Sequence, residues 1–319
     1  MKNIFTAFLC LICFACSGQK TEKIIVAHED PYNLYISSDK DSTTLFYEKI
    51  VPSGKPIGAL VILGGSYDLI SDIKKQIALH TLATQKNILV IFPSINYGTT
   101  KLDPETHFLD AIFEQVVKQY KIPKNKFVLG GFSSGGMLAL SYAERANKFK
   151  DSTYIIPTAV FGIDPPVDYA HLWNHCVNDV ERNVSDMATQ ESKAIIEEYK
   201  KEFGGSPAER PESYIEYSIY SHSEKDGGNA KYLIKTPVLI YTEPDVMWQL
   251  KYRQRDFYDM NCLDQSAMIN FLQLNGNKNV ELITTYNRGK RLDGIRHPHS
   301  WSIMDSQECL TWIMKQLSQ

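Results

Sequence analysis

Gly131-Phe132-Ser133-Ser134-Gly135 sets a serine between two glycines, each two positions away, and four glycines fall within residues 130–136. That density is costly in regular structure. It suits a strand that reverses sharply into a helix, because glycines flanking the serine let the two backbones approach. The apolar run Phe127–Leu129 supplies the strand and the residues from Gly135 onward the helix. A serine at such an apex lifts its hydroxyl out of the sheet, with helix N-terminal amides beside it for a developing anion. The implied chemistry is nucleophilic acyl transfer. Two rival glycine patterns fail. A phosphate loop needs lysine where Gly136 stands, and a dinucleotide fingerprint needs glycine where Phe132 or Ser133 stands. Ser134 is the alternative nucleophile, but Phe132 and Gly136 flank it in place of paired glycines.

A serine hydroxyl needs a base, and the base needs an orienting acid. The turn, with a strand before and a helix after, resembles that of the α/β-hydrolase superfamily in its serine esterase and lipase branch. The resemblance covers about residues 45–165 and 232–317. It implies the order serine, acid, histidine. TPVLIYTEPDVMW ends a strong strand and resembles the superfamily's acid turn, so the acid is expected at Asp245, with Glu243 the alternative. Only His297 and His299 follow, in GIRHPHSWSIMD. His299 is favoured as base, since Ser300-Trp301 gives it the histidine-then-aromatic arrangement common in the family; His297 is the alternative. One oxyanion amide is expected from Ser134, the other from Gly65 or Ser66 in GALVILGGSYD. Leu63 stands where family members often carry histidine.

These residues need a frame. Apolar, β-branched segments lie within residues 24–62, and further strands are expected at 87–95, 126–131, 152–163, 236–243 and 280–286. Helices are expected at about 72–85, from Pro104, and at 135–147, 261–275 and 303–317. Strands of nearly continuous Val, Ile and Leu alternating with helices mean a mostly parallel sheet covered on both faces. The opening strands lack intervening helices, so that edge should be antiparallel. Residues 165–231 break the rhythm and read as an insertion over one end of the sheet. Caps of this kind shape the substrate pocket in the superfamily. Trp173, Tyr214, Tyr217 and Tyr220 could line that pocket, although aromatic clusters more often form core.

The 319 residues, 43% hydrophobic and 22% charged, suit one large α/β domain, and the net charge of −3 argues against a nucleic-acid partner. MKNIFTAFLCLICFAC opens with a basic residue and a short apolar run. Ala15-Cys16 followed by polar residues resembles a bacterial lipoprotein signal, which implies removal of residues 1–15 and lipid on Cys16. Cys13 departs from the leucine usual at its position, and an ordinary cleaved signal is the alternative. Cys176, Cys262 and Cys309 leave an odd count for disulfide pairing, and Cys262 and Cys309 read as buried thiols. No zinc-type cysteine spacing exists; HPH at 297–299 lacks a third ligand nearby, and HLWNH at 171–175 lacks the glutamate of HExxH.

The expectation is therefore an exported, lipid-anchored serine hydrolase of α/β-hydrolase fold. It would act on a small-molecule ester, without metal or organic cofactor, and touch the membrane only through its anchor. A peptidase with the same triad and a non-catalytic binding lipoprotein are the alternatives.

Overall fold

The computed structural model describes residues 20–37, 44–98, 101–149 and 151–319; the expected export signal and Cys16 lie outside them. In chain order the elements are β1 (Lys20–Ala27), β2 (Leu45–Val51), β3 (Gly58–Leu63), α1 (Ile70–Gln76), α2 (Leu79–Gln85), β4 (Ile88–Pro93), α3 (Asp103–Tyr120), β5 (Phe127–Phe132), α4 (Ser134–Lys148), β6 (Ala159–Ile163), α5 (Tyr169–Arg182), α6 (Asp186–Phe203), α7 (Pro211–Tyr217), β7 (Val238–Thr242), α8 (Val246–Tyr252), α9 (Asn261–Leu274), β8 (Val280–Thr284) and α10 (Ser306–Leu317).

The eight strands form one sheet in the order β1-β2-β4-β3-β5-β6-β7-β8. β2 pairs antiparallel with both β1 and β4, and every later pairing is parallel. Side chains alternate between two faces, as a pleated strand requires. Ala59, Val61, Leu63, Phe127 and Leu129 meet α3, α4 and α9 in one core. Leu60, Ile62, Val90, Val128 and Leu239 meet α1, α2 and α10 in the other. The doubly covered sheet explains why these strands read as unbroken apolar runs.

Two expected boundaries move. The helix expected over 72–85 is two helices, because Ile77 adopts an extended backbone (φ −129°, ψ 145°) between them and buries its side chain in the second core. The last helix begins at Ser306, where Asp305 caps it by accepting from the amides of Gln307 and Glu308. Before it, Trp301–Ile303 form a 3-10 turn.

Between β6 and β7, α5, α6 and α7 build a small aromatic core of their own from Tyr169, Trp173, Tyr199, Phe203 and Tyr214, with Tyr217 packed against it. Tyr220 instead packs on the main core. Among the described residues no helix is long and apolar enough to cross a membrane, and Cys176, Cys262 and Cys309 are all free thiols.

Candidate active site

β4 lies to one side of β3 and β5 to the other, so the chain changes direction in the sheet between β3 and β5. Crevices beyond the carboxyl ends of parallel strands form at such switch points. The ends of β3 and β5 carry the 64–66 loop and Ser133.

Ser133 has φ 52° and ψ −121°, a conformation that costs a residue with a side chain about 1–3 kcal/mol. Its surroundings enforce it. The Ser133 amide donates to the Ile163 carbonyl at 2.9 Å. A Cβ at Gly131 would lie 2.3 Å from the Leu63 carbonyl oxygen, and one at Gly135 would lie 2.3 Å from the same oxygen and 2.4 Å from that of Gly64. The elbow and the 64–66 loop thus touch backbone to backbone.

Ser133 Oγ lies 3.0 Å from His299 Nε2, and His299 Nδ1 lies 2.6 Å from Asp164 Oδ2. The two contacts are satisfied together when the serine hydroxyl donates to Nε2 and Nδ1–H donates to the carboxylate. The Phe132 ring packs against the His299 ring at 4.5 Å between centroids and against Trp301 at 5.5 Å, which fixes the imidazole plane. Asp164 follows β6 directly. Its Oδ1 accepts from Thr242 Oγ1 and Gln265 Nε2, both at 3.0 Å. Burial pushes its pKa up, but the hydrogen bonds and charge of His299, with the Gln265 and Thr242 donors, outweigh that and hold it below the ordinary value.

The acid expected at Asp245 is not the carboxylate that the structure brings to His299; that carboxylate is Asp164. Asp245 caps α8 through the Trp248 amide at 3.1 Å and holds Arg296 at 2.5 Å. Glu243, the alternative, is buried, pairs with Arg296, and accepts from Thr285 Oγ1 at 2.8 Å and the Arg288 amide at 3.0 Å. Both carboxylates are neutralised by the loop after β8 and clamp it to the end of β7. Asp164 had a signal of the same kind, an apolar strand ending in an acid (AVFGID), but it abuts the irregular insertion and was missed.

Among the described residues no hydrogen bond joins His297 to Ser133, which is met by His299. His297 Nδ1 donates to the His299 carbonyl at 3.0 Å. Burial, then the charges of Arg291, His299 and Arg253, press its pKa down to about 3, so it stays neutral. Ser134 begins α4, and its hydroxyl lies 3.2 Å from that of Ser66. The Gly65 amide is already given to Asp68 Oδ2 at 2.9 Å. Among the described residues, the amides of Ser66 and Ser134 donate to no group, so of the two residues expected to give the second amide, Ser66 is the one whose donor is not already spent. The same Asp68 oxygen accepts from Trp301 Nε1 at 2.8 Å, so one carboxylate joins the 64–66 loop to the segment carrying His299. Nothing in the sequence marks Asp68 beyond its nearness to the glycine pair.

These groups open into a cavity of about 1630 Å³ lined by Ser133, His299 and residues of α5, α6 and α8. That exceeds the roughly 300–1,000 Å³ of common small-ligand pockets. His171 and His175 do not combine as metal ligands. His171 pairs with Asp264 at 2.6 Å and His175 lies 3.3 Å from Asp179. Among the described residues no cluster suited to a metal ion occurs.

No family model matches the chain, and no curated protein matches it. Solved structures do. The chain is similar to an acylaminoacyl peptidase from Pyrococcus horikoshii, with TM-score 0.57 and 14% identity over 94% of this chain and 42% of that one; it spans less than half of that peptidase. It is similar to carboxyl esterase 2 from Tuber melanosporum, with TM-score 0.56 and 14% identity over 95% of this chain and 88% of that one. It is also similar to esterase B from Lactobacillus rhamnosis, with TM-score 0.55 and 13% identity over 94% and 88%. With the mostly parallel eight-stranded sheet and its flanking helices, these likenesses establish that the chain has the α/β-hydrolase fold.

Proposed function

We propose that this protein is a serine hydrolase that cleaves a carboxylic ester through an acyl-enzyme on Ser133. The observation that carries the reading is the unbroken relay from Ser133 Oγ through His299 to Asp164, at 3.0 and 2.6 Å. Ser133 Oγ attacks the ester carbonyl carbon while its proton passes to His299 Nε2. Asp164 stabilises the imidazolium and holds its tautomer. The oxyanion sits between the amides of Ser134 and Ser66. On collapse the alcohol leaves with the proton from Nε2, and a water deprotonated by the same nitrogen then hydrolyses the acyl-enzyme.

A fluorophosphonate probe tests the assignment. It should label wild-type protein on the peptide containing Ser133 and leave Ser133→Ala unlabelled, with esterase turnover lost in parallel. An adduct on Ser134, or full turnover by Ser133→Ala, refutes it. Absence of both labelling and turnover favours the binding-scaffold alternative. Turnover of peptides in preference to esters favours the peptidase alternative, which the likeness to an acylaminoacyl peptidase keeps open.

The helices α5–α7 act in this reading as a cap, since residues of α5 and α6 line the cavity above Ser133. The export signal and Ala15-Cys16-Ser17 support an exported protein held at a membrane by lipid on Cys16. A single acyl chain anchors weakly and several anchor firmly. Mass mapping of the mature N-terminus to any residue but Cys16 refutes that assignment.

A further inference from the structure

Four arginines line the cavity that holds Ser133: Arg253, Arg255, Arg291 and Arg296. Two are already matched. Arg255 pairs with Asp179, and Arg296 with Glu243 and Asp245. The other two are not. Arg253 spends its hydrogen bonds on neutral groups, Ser185 Oγ and, at 3.4 Å, His297 Nε2, and it stacks over Trp248 at 5.5 Å. Among the described residues neither Arg253 nor Arg291 forms an ion pair with a carboxylate. Asp68, Glu191 and Asp293 are the acids whose fields reach Arg291.

Both guanidiniums act on His297, whose Nδ1 donates to the carbonyl of His299 itself. The pair therefore sits one imidazole away from the backbone of the base. Burial and the nearby charges of Arg255 and Arg291 press Arg253 below the usual arginine range. Two cations that line one cavity and are paired with no carboxylate among the described residues repel each other, and an anion between them relieves that repulsion. Arginine stacked on an aromatic face, its N–H groups given only to neutral partners, suits the planar geometry of a carboxylate.

We propose that Arg253 and Arg291 bind a carboxylate of the substrate, so that the natural ester carries a free carboxylate on its acyl or its alcohol part. The proposal rests on the serine-hydrolase reading and names the substrate class of that site. The cavity is large enough for such a two-ended molecule.

The test uses matched pairs on the full protein. The 4-nitrophenyl monoester of adipic acid is compared with its methyl-capped form, and 3-carboxyphenyl butyrate with its methyl ester. The measured quantity is the ratio of kcat/KM, carboxylate over capped, which cancels intrinsic reactivity when proteins are compared. In wild type the ratio should favour the carboxylate in at least one pair, and the favoured pair says which half carries the charge. It should fall roughly tenfold or more in Arg291→Gln and in Arg253→Gln, as expected for a lost charge-assisted hydrogen bond, and recover in part in Arg253→Lys. Raised ionic strength should shrink it. Arg291 is exposed on a loop, so Arg291→Gln carries the test even if loss of the Arg253–Ser185 contact disturbs folding. Equal ratios in wild type and Arg291→Gln for both pairs overturn the proposal while leaving the hydrolase intact. No Ser133-dependent turnover of any of the four esters removes the underlying reading instead.

Discussion

Asp164→Asn separates the acid expected from the strand-end motif from the one found in the fold. Asn is isosteric, and the surrounding donors decide which way it sits. Thr242 Oγ1 and Gln265 Nε2 both point at Oδ1, each at 3.0 Å, so the amide oxygen must take that side. The amide NH₂ then faces His299 Nδ1, now 2.6 Å from Oδ2, and donates to it. That forces the imidazole proton onto Nε2, where it opposes the Ser133 hydroxyl instead of accepting from it. Wrong-tautomer substitutions of this type lower kcat about 10⁴-fold, or about 5.4 kcal/mol of transition-state stabilisation. The assay is steady-state hydrolysis of a 4-nitrophenyl ester, with circular dichroism to verify the fold. Stability should change with a definite sign. The Asp164 pKa is held below the ordinary value, so the stability it adds is present above about pH 4 and lost as pH falls through the folded value. Asp164→Asn should thus be less stable than wild type at neutral pH and converge with it in acid. Asp245→Asn should keep turnover within about tenfold, since its partners are Arg296 and the α8 cap. An Asp164→Asn enzyme within tenfold of wild type, or an Asp245→Asn enzyme down by 10⁴, would falsify the assignment.

Three further outcomes follow from the same contacts. Asp68→Ala should lower kcat roughly 10²-fold by releasing the 64–66 loop and Trp301, whereas Asp68→Asn should retain most of it, because Gly65 and Trp301 donate to a single oxygen; equal losses in kinetics of the two variants contradict this. His297 is held neutral down to about pH 3, while the unfolded chain binds that proton near pH 6.5. Stability should therefore fall on acidification across that window by about 1.4 kcal/mol per pH unit from this residue, and urea titrations of His297→Gln should lack that slope. Glu144 is wholly buried in α4, and burial raises its pKa well above the ordinary value against a weak opposing pull from Lys148. The folded state keeps a proton that the unfolded chain releases, so stability falls as pH rises. Glu144→Gln should raise the Tm, and the gain should grow with pH; a Tm gain independent of pH would count against a protonated Glu144.

What the sequence made legible follows from how local each constraint is. The elbow was readable because its glycines answer a clash between neighbours in space that are also neighbours in a short motif. The alternation of sheet layers was readable because strands buried on both faces have no polar side. The antiparallel edge followed from the missing crossovers. The acid was misplaced because two strand ends carry acids. The choice between them depends on which one Arg296 neutralises, and that arginine lies more than fifty residues from Glu243 and Asp245 in sequence. Asp68 and the Arg253–Arg291 pair were invisible for the same reason. Their roles are set by distances across the fold, with no spacing along the chain to mark them. The break at Ile77 was hidden because an extended residue inside an apolar helical pattern keeps the pattern intact on both sides.

The placement of Asp164 before α5 has a consequence in time. The loop at residues 64–66, the elbow at Ser133 and the carboxylate of Asp164 all lie within the first 164 of 319 residues, and β3, β5 and β6 that carry them are adjacent in the sheet. His299 comes from the far end, after β7 and β8 have extended that sheet. Synthesised from its N-terminus, the chain completes nucleophile, anion site and acid well before the base exists, and domains fold as their segments emerge. A nascent or C-terminally clipped molecule would then hold a strained, well-placed serine with nothing to take its proton. In the proposed reading, catalytic competence is conferred by the last of these segments to dock, which makes the protein inert throughout its own production.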